Sequence, residues 1–294
     1  MITGPTAVGK TDLCINLAKK FNTVIISSDS RQFFQEINIG TAKPSEKELA
    51  MVPHYFIGNK SIHDLYDVKK YESEALACID SLFKENDLLI LTGGSGMYTD
   101  AIVEGLDHMP QIDSSFREEL NAVYAKEGIS YLQEMLLKLD PDYFAVVDKQ
   151  NPQRLIRALE VCLGTGLPFS SFRIKKKVIR PFKTVKIALK RDREELYERI
   201  NRRMDNMIQE GLFEEATKMY PYKALNALNT VGYKEIFAYL NGLYDKEEAI
   251  RLLKRNSRRY AKRQLTWLNK DKTYHWFHPD EINGMVDLIK AQME

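Results

Sequence analysis

The chain has 294 residues, of which 44% are hydrophobic and 29% are charged, and its formal net charge is +2. This composition is that of an ordinary globular protein with enough residues for one sizeable core and a smaller second module. No apolar run approaches the roughly 18–20 residues that a membrane-spanning helix needs, and no charged-then-apolar leader opens the chain. We therefore expect a cytoplasmic protein without a membrane partner.

The first motif is GPTAVGKT, at residues 4–11. It matches G-x-x-x-x-G-K-[ST], a loop whose backbone N–H groups, lysine ammonium and hydroxyl hold a chain of phosphates and its Mg²⁺. We expect Lys10 to neutralise phosphate oxygens, Thr11 to hold Mg²⁺, and the following helix to add its partial positive charge. The predicted phosphate-binding residues are Gly4, Pro5, Thr6, Ala7, Val8, Gly9, Lys10 and Thr11. Only three residues precede the loop, so its strand is either short or begins upstream.

Strands and helices alternate after this loop. The sequence predicts a helix at 11–21, a strand at 22–30, a helix at 68–84 and a strand at 87–94, with a further short strand at HYFIG. This order predicts an α/β fold, a P-loop-type parallel sheet flanked by helices. Ligands of such sheets collect at the carboxyl ends of the strands, where the loop, Asp29 and residues 93–96 all fall.

A small all-helical insertion domain is predicted at residues 111–178. The hydrophobic periodicity there is helical, and Asp140-Pro141 and Asn151-Pro152 each place an N-cap before a proline at the first helical position. The predicted catalytic core is therefore residues 1–110 together with 179–294. In its second part we expect strands near 184–190 and 273–277, with long helices between them that start near Asp192 and at 245.

Positive charge is concentrated in two segments. Residues 251–263 contain seven basic side chains and no acidic one, and residues 172–183 are similarly basic. Leu253, Tyr260 and Trp267 recur every seven residues and predict the buried side of the first segment. A charge run is usually a solvated face, but uncompensated cations are easier to explain beside phosphates, which favours a polyanionic partner.

Two further residues allow more than one interpretation. Asp29, at a strand end, either caps the following turn or acts as a general base or metal ligand. Ser95 lies in TGGSG, which is either a tight strand-to-helix turn or part of a site. The strand before TGGSG does not end in the Asp that an ATP-using P-loop protein would use for its magnesium, so the bound phosphates need not be those of a nucleotide.

Eight motifs in order over nearly the whole chain resemble those of the bacterial tRNA dimethylallyltransferases. They are GPTAVGKT, DSRQFF, INIGTAKP, TGGSGMY, NPQRLIRALEV, RINRRMDNMIQEGLFEEA, GYKEI and YAKRQLTWL. The resemblance implies transfer of the dimethylallyl group from dimethylallyl diphosphate to the exocyclic amine of adenosine 37 in the anticodon stem-loop of tRNA. It also implies Mg²⁺ as cofactor, diphosphate as product, and a loop that holds the diphosphate of the donor. We expect a monomer.

The resemblance also implies roles for individual residues. Asp29 would accept the proton of the adenine amine, Arg203 would bind the diphosphate opposite the loop, and Ser95, where the family usually has threonine, would contact the substrate base. Lys10, Asp29, Ser95 and Arg203 are thus the expected catalytic residues. The expected tRNA contacts are Asp29, Ser30, Arg31, Gln32, Ser95, Arg117, Gln153, Arg154, Leu155, Ile156 and Arg157. Asn38 replaces a common aspartate of the family, which argues against a charged role there.

Three other functions stay open from the residues alone. A prenyltransferase acting on free adenine nucleotides would share the loop and Asp29, but has less use for a helical insertion. A nucleotide or metabolite kinase would share the loop, and the missing acidic strand end argues against it. An RNA-binding module could carry a vestigial phosphate loop.

Overall fold

A computed structural model describes residues 1–174 and 178–293; residues 175–177, which belong to the basic segment 172–183, lie outside the described part. The chain folds as two compact units, one formed by Met1–Glu104 with Arg180–Glu294 and the other by Gly105–Ile179. The predicted insertion at 111–178 falls within the second unit. Among the described helices, none is both long and apolar enough to cross a lipid bilayer.

Within the described residues, six strands of the first unit form one parallel sheet in the order β3-β2-β4-β1-β5-β6. The strands are β1 Ile2–Thr3, β2 Ile25–Ser27, β3 His54–Tyr55, β4 Ile90–Gly93, β5 Ile187–Leu189 and β6 His275–Phe277. The predicted fold class is confirmed. Although β1 has only two residues, it lies at the centre, with Ile2 opposite both Thr92 and Ile187.

The helices are α1 Lys10–Phe21, α2 Glu46–Leu49, α3 Val68–Leu82, α4 Gly96–Val103, α5 Ser114–Glu127, α6 Ile129–Leu139, α7 Pro141–Val146, α8 Pro152–Thr165, α9 Arg193–Gln209, α10 Leu212–Met219, α11 Tyr233–Leu240, α12 Lys246–Leu268 and α13 Ile282–Met293. The long helices α9 and α12 begin where the sequence predicts them. The last helix, α13, follows the predicted strand near 273–277 and was not itself predicted. It packs against α1 through Met285, Val286 and Ile289, which are buried.

Helices cover both faces of the sheet. Successive side chains of a strand point to opposite faces, and Ile25 and Ile90 belong to one buried cluster whereas Ile26 and Leu91 belong to the other. Because both faces are buried, the strands are apolar runs rather than alternating ones. The carboxyl ends of β1, β2 and β4 are therefore the place where the chain can expose polar groups to a ligand.

The buried side of α12 differs from the predicted one. Trp267 is 40% exposed and Tyr260 is half-buried. The prediction that the residues recurring every seven positions form the buried side is therefore wrong beyond Leu253. The buried residues are Ala249, Leu253, Ser257, Ala261, Gln264 and Leu268. They recur mainly every four residues and several are small, which lets the helix approach the rest of the unit closely. Hydrophobicity alone could not identify a buried side that contains serine and glutamine.

The second unit, Gly105–Ile179, is helical in its described part and has its own core of leucines, isoleucines and aromatic residues. Its predicted helix starts are confirmed: the Asp140 carboxylate accepts the backbone N–H of Tyr143, and the Asn151 side chain accepts that of Arg154. Each cap precedes a proline at the first helical position. These caps satisfy backbone donors that have no partner within the helix.

Candidate functional site

The loop 4–11 joins β1 to α1 at the carboxyl edge of the sheet. Ala7 and Gly9 adopt left-handed backbone conformations, with φ of 63° and 110°, and such alternation turns successive N–H groups towards one point. Gly9 precedes α1 as its N-cap without any side-chain hydrogen bond, so the first N–H groups of the helix stay available. Lys10 lies beside them, and its Nζ donates to the carbonyl oxygens of Gly4 and Pro5 at 2.9 Å each.

Three arginines surround the outer side of this loop. Arg191 Nε donates to the Val8 carbonyl at 2.8 Å, and Arg199 Nε donates to the Ala7 carbonyl at 2.9 Å. Arg203, one turn after Arg199 on α9, brings Nη1 to 3.4 Å from the Thr6 hydroxyl oxygen. The sequence placed Arg203 opposite the loop, and it missed Arg191 and Arg199.

The loop region concentrates positive charge. Burial and, secondarily, the repulsion by Arg203 lower the pKa of Lys10 to about 8. Burial also lowers the pKa of Arg203; Asp29 opposes this and Arg199 adds to it. Cations that are destabilised by desolvation and by each other gain most from an anion placed between them. The arrangement therefore suits a ligand with several negative charges, such as a diphosphate.

Asp29 follows β2 and uses one carboxylate oxygen in the structure. Its Oδ1 accepts the backbone N–H groups of Arg31 at 2.9 Å and Gln32 at 3.4 Å, the geometry of a turn cap. Among the described residues, none donates a hydrogen bond to its Oδ2. The negative charge of this carboxylate acts to raise the pKa of both Lys10 and Arg203. The cap and a chemical role are thus compatible, because they use different oxygens.

Ser95 connects the ends of β4 and β2. Its Oγ accepts the backbone N–H of Ser30 at 3.1 Å and donates to the Ser30 hydroxyl at 3.0 Å. Tyr260 of α12 lines the same pocket as Ser30 and Ser95; burial, and secondarily the negative charge of Asp29, raise the pKa of its hydroxyl to about 12. Ser30, Ser95 and Tyr260 therefore form one cluster next to Asp29.

The side chains of Gln32 and Arg31, which the sequence predicts to contact tRNA, already have hydrogen-bond partners within the protein. The Gln32 amide nitrogen already donates to the carbonyl oxygens of Thr41 and Ala42, at 3.2 and 3.0 Å. Arg31 extends Nη2 to the Asn229 carbonyl at 3.4 Å, and burial lowers its pKa. Both side chains thus hold the turns beside Asp29 in place.

The segment INIGTAKP has a structural explanation. Both carboxylate oxygens of Glu215 accept hydrogen bonds, Oε2 from the N–H groups of Asn38 and Ile39, and Oε1 from the Gly40 N–H and the Tyr233 hydroxyl. Asn38 itself accepts a hydrogen bond from Lys43. Glu215 thus holds this segment by hydrogen bonds, and the segment supplies the Thr41 and Ala42 carbonyls that accept hydrogen bonds from Gln32.

An open pocket of about 250 Å³ lies between the loop and α12. Its lining includes Gly4 of the loop and Ser95, and its walls are mostly apolar, formed by Met97, Tyr98, Tyr260, Trp267 and Leu268. The cation-rich loop therefore adjoins a pocket that suits a hydrocarbon group. The sequence motif YAKRQLTWL contains three of the wall residues, but nothing in the motif shows that they face a ligand.

In the second unit, two arginines share one buried carboxylate. Glu160 is 5% exposed; its Oε2 accepts Arg117 Nη2 at 2.6 Å, and its Oε1 accepts Arg157 Nη1 at 2.8 Å. Gln153 and Arg154 are exposed on the same helix, α8.

Leu155 and Ile156 do not share the exposure of their neighbours on α8. They are 0% and 1% exposed and lie in the core of the second unit, so their side chains are not available to tRNA. The amphipathic spacing of α8 turns these two side chains inward, so any contact there would have to involve exposed neighbours or the backbone, and the contact of residues 153–157 with tRNA stays a prediction.

The described residues contain no group of three or more histidine, cysteine, aspartate or glutamate side chains arranged to hold a metal ion. The Thr11 hydroxyl, at the start of α1, is half-buried beside Lys10. Magnesium prefers oxygen ligands and keeps several from phosphates or water. The donor set fits a Mg²⁺ that arrives with a phosphorylated ligand, and it does not resemble an all-protein metal site.

Comparisons with known proteins agree with this geometry. Residues 32–271 match the family model described as IPP transferase. The chain is 50% identical over 294 residues, all of this chain and 97% of the relative, to the tRNA dimethylallyltransferase of Cytophaga hutchinsonii. The full-length tRNA isopentenylpyrophosphate transferase of Bacillus halodurans superposes with a TM-score of 0.73 at 36% identity, over 99% of this chain and 95% of that one.

A eukaryotic dimethylallyltransferase acting on tRNA superposes with a TM-score of 0.72 at 26% identity, covering 91% of this chain and 68% of that one. The Cytophaga and Bacillus proteins match all or nearly all of this chain and therefore include both units. With a phosphate loop, an adjoining apolar pocket and a relative at 50% identity over its full length, this chain belongs to the IPP transferase family.

Proposed function

We propose that this protein transfers the dimethylallyl group of dimethylallyl diphosphate to the exocyclic amine of adenosine 37 in tRNA, in the cytoplasm, and releases diphosphate. The observation that carries the proposal is the juxtaposition of a cationic phosphate loop, an apolar pocket and one carboxylate. Lys10 and Arg203 flank the loop, and Asp29 is the carboxylate whose negative charge interacts with both cations. Membership of the family supports the same reaction.

The loop and its cations act on the leaving group. As the bond between the allylic carbon and the diphosphate oxygen breaks, negative charge builds on that oxygen. The loop N–H groups, Lys10 and Arg203, which lie together at the loop, stabilise this charge by electrostatic preorganisation. Mg²⁺, held by the Thr11 hydroxyl and the phosphate oxygens of the donor, would neutralise further charge on the diphosphate.

Asp29 acts on the nucleophile. The adenine amine is a poor nucleophile because its lone pair is delocalised into the ring, so proton removal helps as its nitrogen bonds to the allylic carbon. Asp29 Oδ2 accepts that proton, while Oδ1 stays bound to the N–H groups of the following turn. General base catalysis of this kind contributes typically about 10²–10⁴-fold. The five-carbon group occupies the apolar pocket, which limits water near the developing cation.

The tRNA is bound through phosphates and through one extruded base. Adenosine 37 must leave its stack to reach the site, at a cost of a few kcal/mol. Ser30 and Ser95 contact the base beside Asp29, and the hydrogen bond between the two hydroxyls orients them. The basic face of α12, with Arg255, Arg259 and Lys262, attracts phosphates, as do Arg117, Arg154 and Arg157 of the second unit.

The test uses the purified protein with dimethylallyl diphosphate labelled in the prenyl group. We expect label in unmodified tRNA, at adenosine 37 by mass spectrometry of nuclease digests, and none in AMP. Label in AMP with unlabelled tRNA would establish the nucleotide prenyltransferase instead. Phosphoryl transfer from ATP without prenyl transfer would establish a kinase. A Lys10→Ala variant that modifies tRNA as well as the wild type would identify the loop as vestigial.

A further inference from the structure

One side chain of α12 bridges the two glycine loops of the site. Gln264 Oε1 accepts the backbone N–H of Thr6 in the phosphate loop at 2.8 Å, and its Nε2 donates to the Gly94 carbonyl at 2.8 Å. The side chain is 8% exposed. Thr6 and Gly94 are otherwise separated by almost ninety residues of sequence, so a single amide joins the end of β1 to the end of β4.

The bridge requires an amide of this length and a glycine opposite it. A Cβ added at Gly94 would lie 2.5 Å from Gln264 Nε2, closer than real Cβ atoms approach any neighbour. At neutral pH an amide offers an acceptor and a donor on one planar group, whereas an ionised carboxylate of the same length can only accept. Loss of either hydrogen bond would leave a partly buried backbone N–H or C=O without this partner, which weakens the connection because such a group has given up part of its contact with water.

Both bridged segments carry groups that the proposed reaction uses. The Thr6 hydroxyl is the contact of Arg203, at 3.4 Å, and Gly94 precedes Ser95, which binds Ser30. On the same helix face, Tyr260 lies one turn before Gln264 and lines the same pocket as Ser95. The amide therefore connects the group that binds the diphosphate with the group next to the nucleophile.

We propose that Gln264 is a positioning residue for prenyl transfer, whose amide fixes the separation between the phosphate loop and the 93–96 turn. The inference rests on the proposed function. The attacking nitrogen and the departing oxygen lie on opposite sides of one carbon, so their spacing is set by the two segments that hold them. Misplacement by about 1 Å can cost about 10²-fold in rate, and although Gln264 also lines the pocket, its assigned effect acts through the two segments that it joins.

The first arm of the test compares Gln264→Leu with the exposed neighbour Thr266→Ala, whose hydroxyl bonds only to the Lys262 carbonyl of its own helix. In Gln264→Leu we expect kcat for prenyl transfer to tRNA to fall by about 10²-fold. The KM for tRNA should change less than about threefold, because the basic surface is untouched. Thr266→Ala should keep the wild-type kcat.

The second arm uses pH to separate positioning from folding. Ionised glutamate in Gln264→Glu can accept the Thr6 N–H but cannot donate to the Gly94 carbonyl; protonated glutamate can do both. The kcat ratio of Gln264→Glu to wild type should therefore rise as pH falls from 8 to 6, while the Gln264→Leu ratio stays flat. Loss of folded protein, followed by circular dichroism, would not produce this difference.

A wild-type kcat in Gln264→Leu would overturn the inference. So would a loss of kcat in Gln264→Leu that only follows the folded fraction, if the kcat ratio of Gln264→Glu to wild type is also independent of pH. Failure of the wild-type protein to prenylate tRNA would overturn the proposed function first, and the inference with it. The two failures are distinguished by the wild-type control in the same assay.

Discussion

Replacement of Asp29 by asparagine isolates the proton-accepting role of this residue. The asparagine side-chain oxygen can still accept the N–H groups of Arg31 and Gln32, which bond to Oδ1 at 2.9 and 3.4 Å. The amide that replaces Oδ2 cannot take the proton of the adenine amine. Loss of general base catalysis predicts a decrease in kcat of about 10²–10⁴-fold, which corresponds to about 3–5 kcal/mol of barrier.

The alanine variant of Asp29 is the structural comparison. It loses both backbone hydrogen bonds as well as the base, and at about 0.5–1.5 kcal/mol each its free energy of unfolding should fall by about 1–3 kcal/mol. Asp29→Asn should keep most of that stability. Neither variant should raise the KM for the donor, because the removed negative charge lies near Lys10 and Arg203 and opposes the binding of an anion.

The assay is single-turnover transfer of labelled prenyl group at saturating donor, with tRNA affinity from filter binding and stability from thermal unfolding. A single-turnover rate constant for Asp29→Asn within threefold of the wild-type value would refute the base role. So would a decrease in tRNA affinity as large as the decrease in rate, because Asp29 would then act in binding.

Arg203→Ala should raise the KM for dimethylallyl diphosphate at least tenfold and leave the KM for tRNA nearly unchanged, whereas the exposed neighbour Arg202→Ala should behave as wild type; a defect independent of donor concentration contradicts the assignment. The pKa of Lys10 is about 8 without an anion, and its ammonium form binds the diphosphate. The kcat/KM for the donor should therefore fall as pH rises above 8. A profile that stays flat to pH 9.5 would argue against diphosphate binding by the Lys10 ammonium. Glu160→Gln removes the charge that holds Arg117 and Arg157, so tRNA affinity should fall several-fold and the free energy of unfolding should fall by about 1–3 kcal/mol. The exposed Glu119→Gln is the control. Equal Kd values for tRNA in Glu160→Gln and the wild type would show that these arginines do not contact tRNA.

The sequence predicted the elements that depend on local signals. The phosphate loop, the helix starts at Asp140-Pro141 and Asn151-Pro152 and the apolar strands all follow from residues that are neighbours in the chain. The stripe on α12 was wrong beyond Leu253 because its buried side depends on which residues meet the rest of the unit. Leu155 and Ile156 show the same limit, since a motif names a stretch of α8 but not the side that faces outward.

By itself, the sequence determined the class of fold, the presence of a phosphate-binding loop and the family, because backbone conformation and motif spacing are local properties. Only the tertiary structure decided which groups meet at the carboxyl edge of the sheet. It brought Arg199 and Arg203 of α9 and Gln264 of α12 to a loop that lies about 190 to 260 residues earlier. Such contacts are set by packing of α9 and α12 against the sheet, and no pattern of neighbouring residues encodes them.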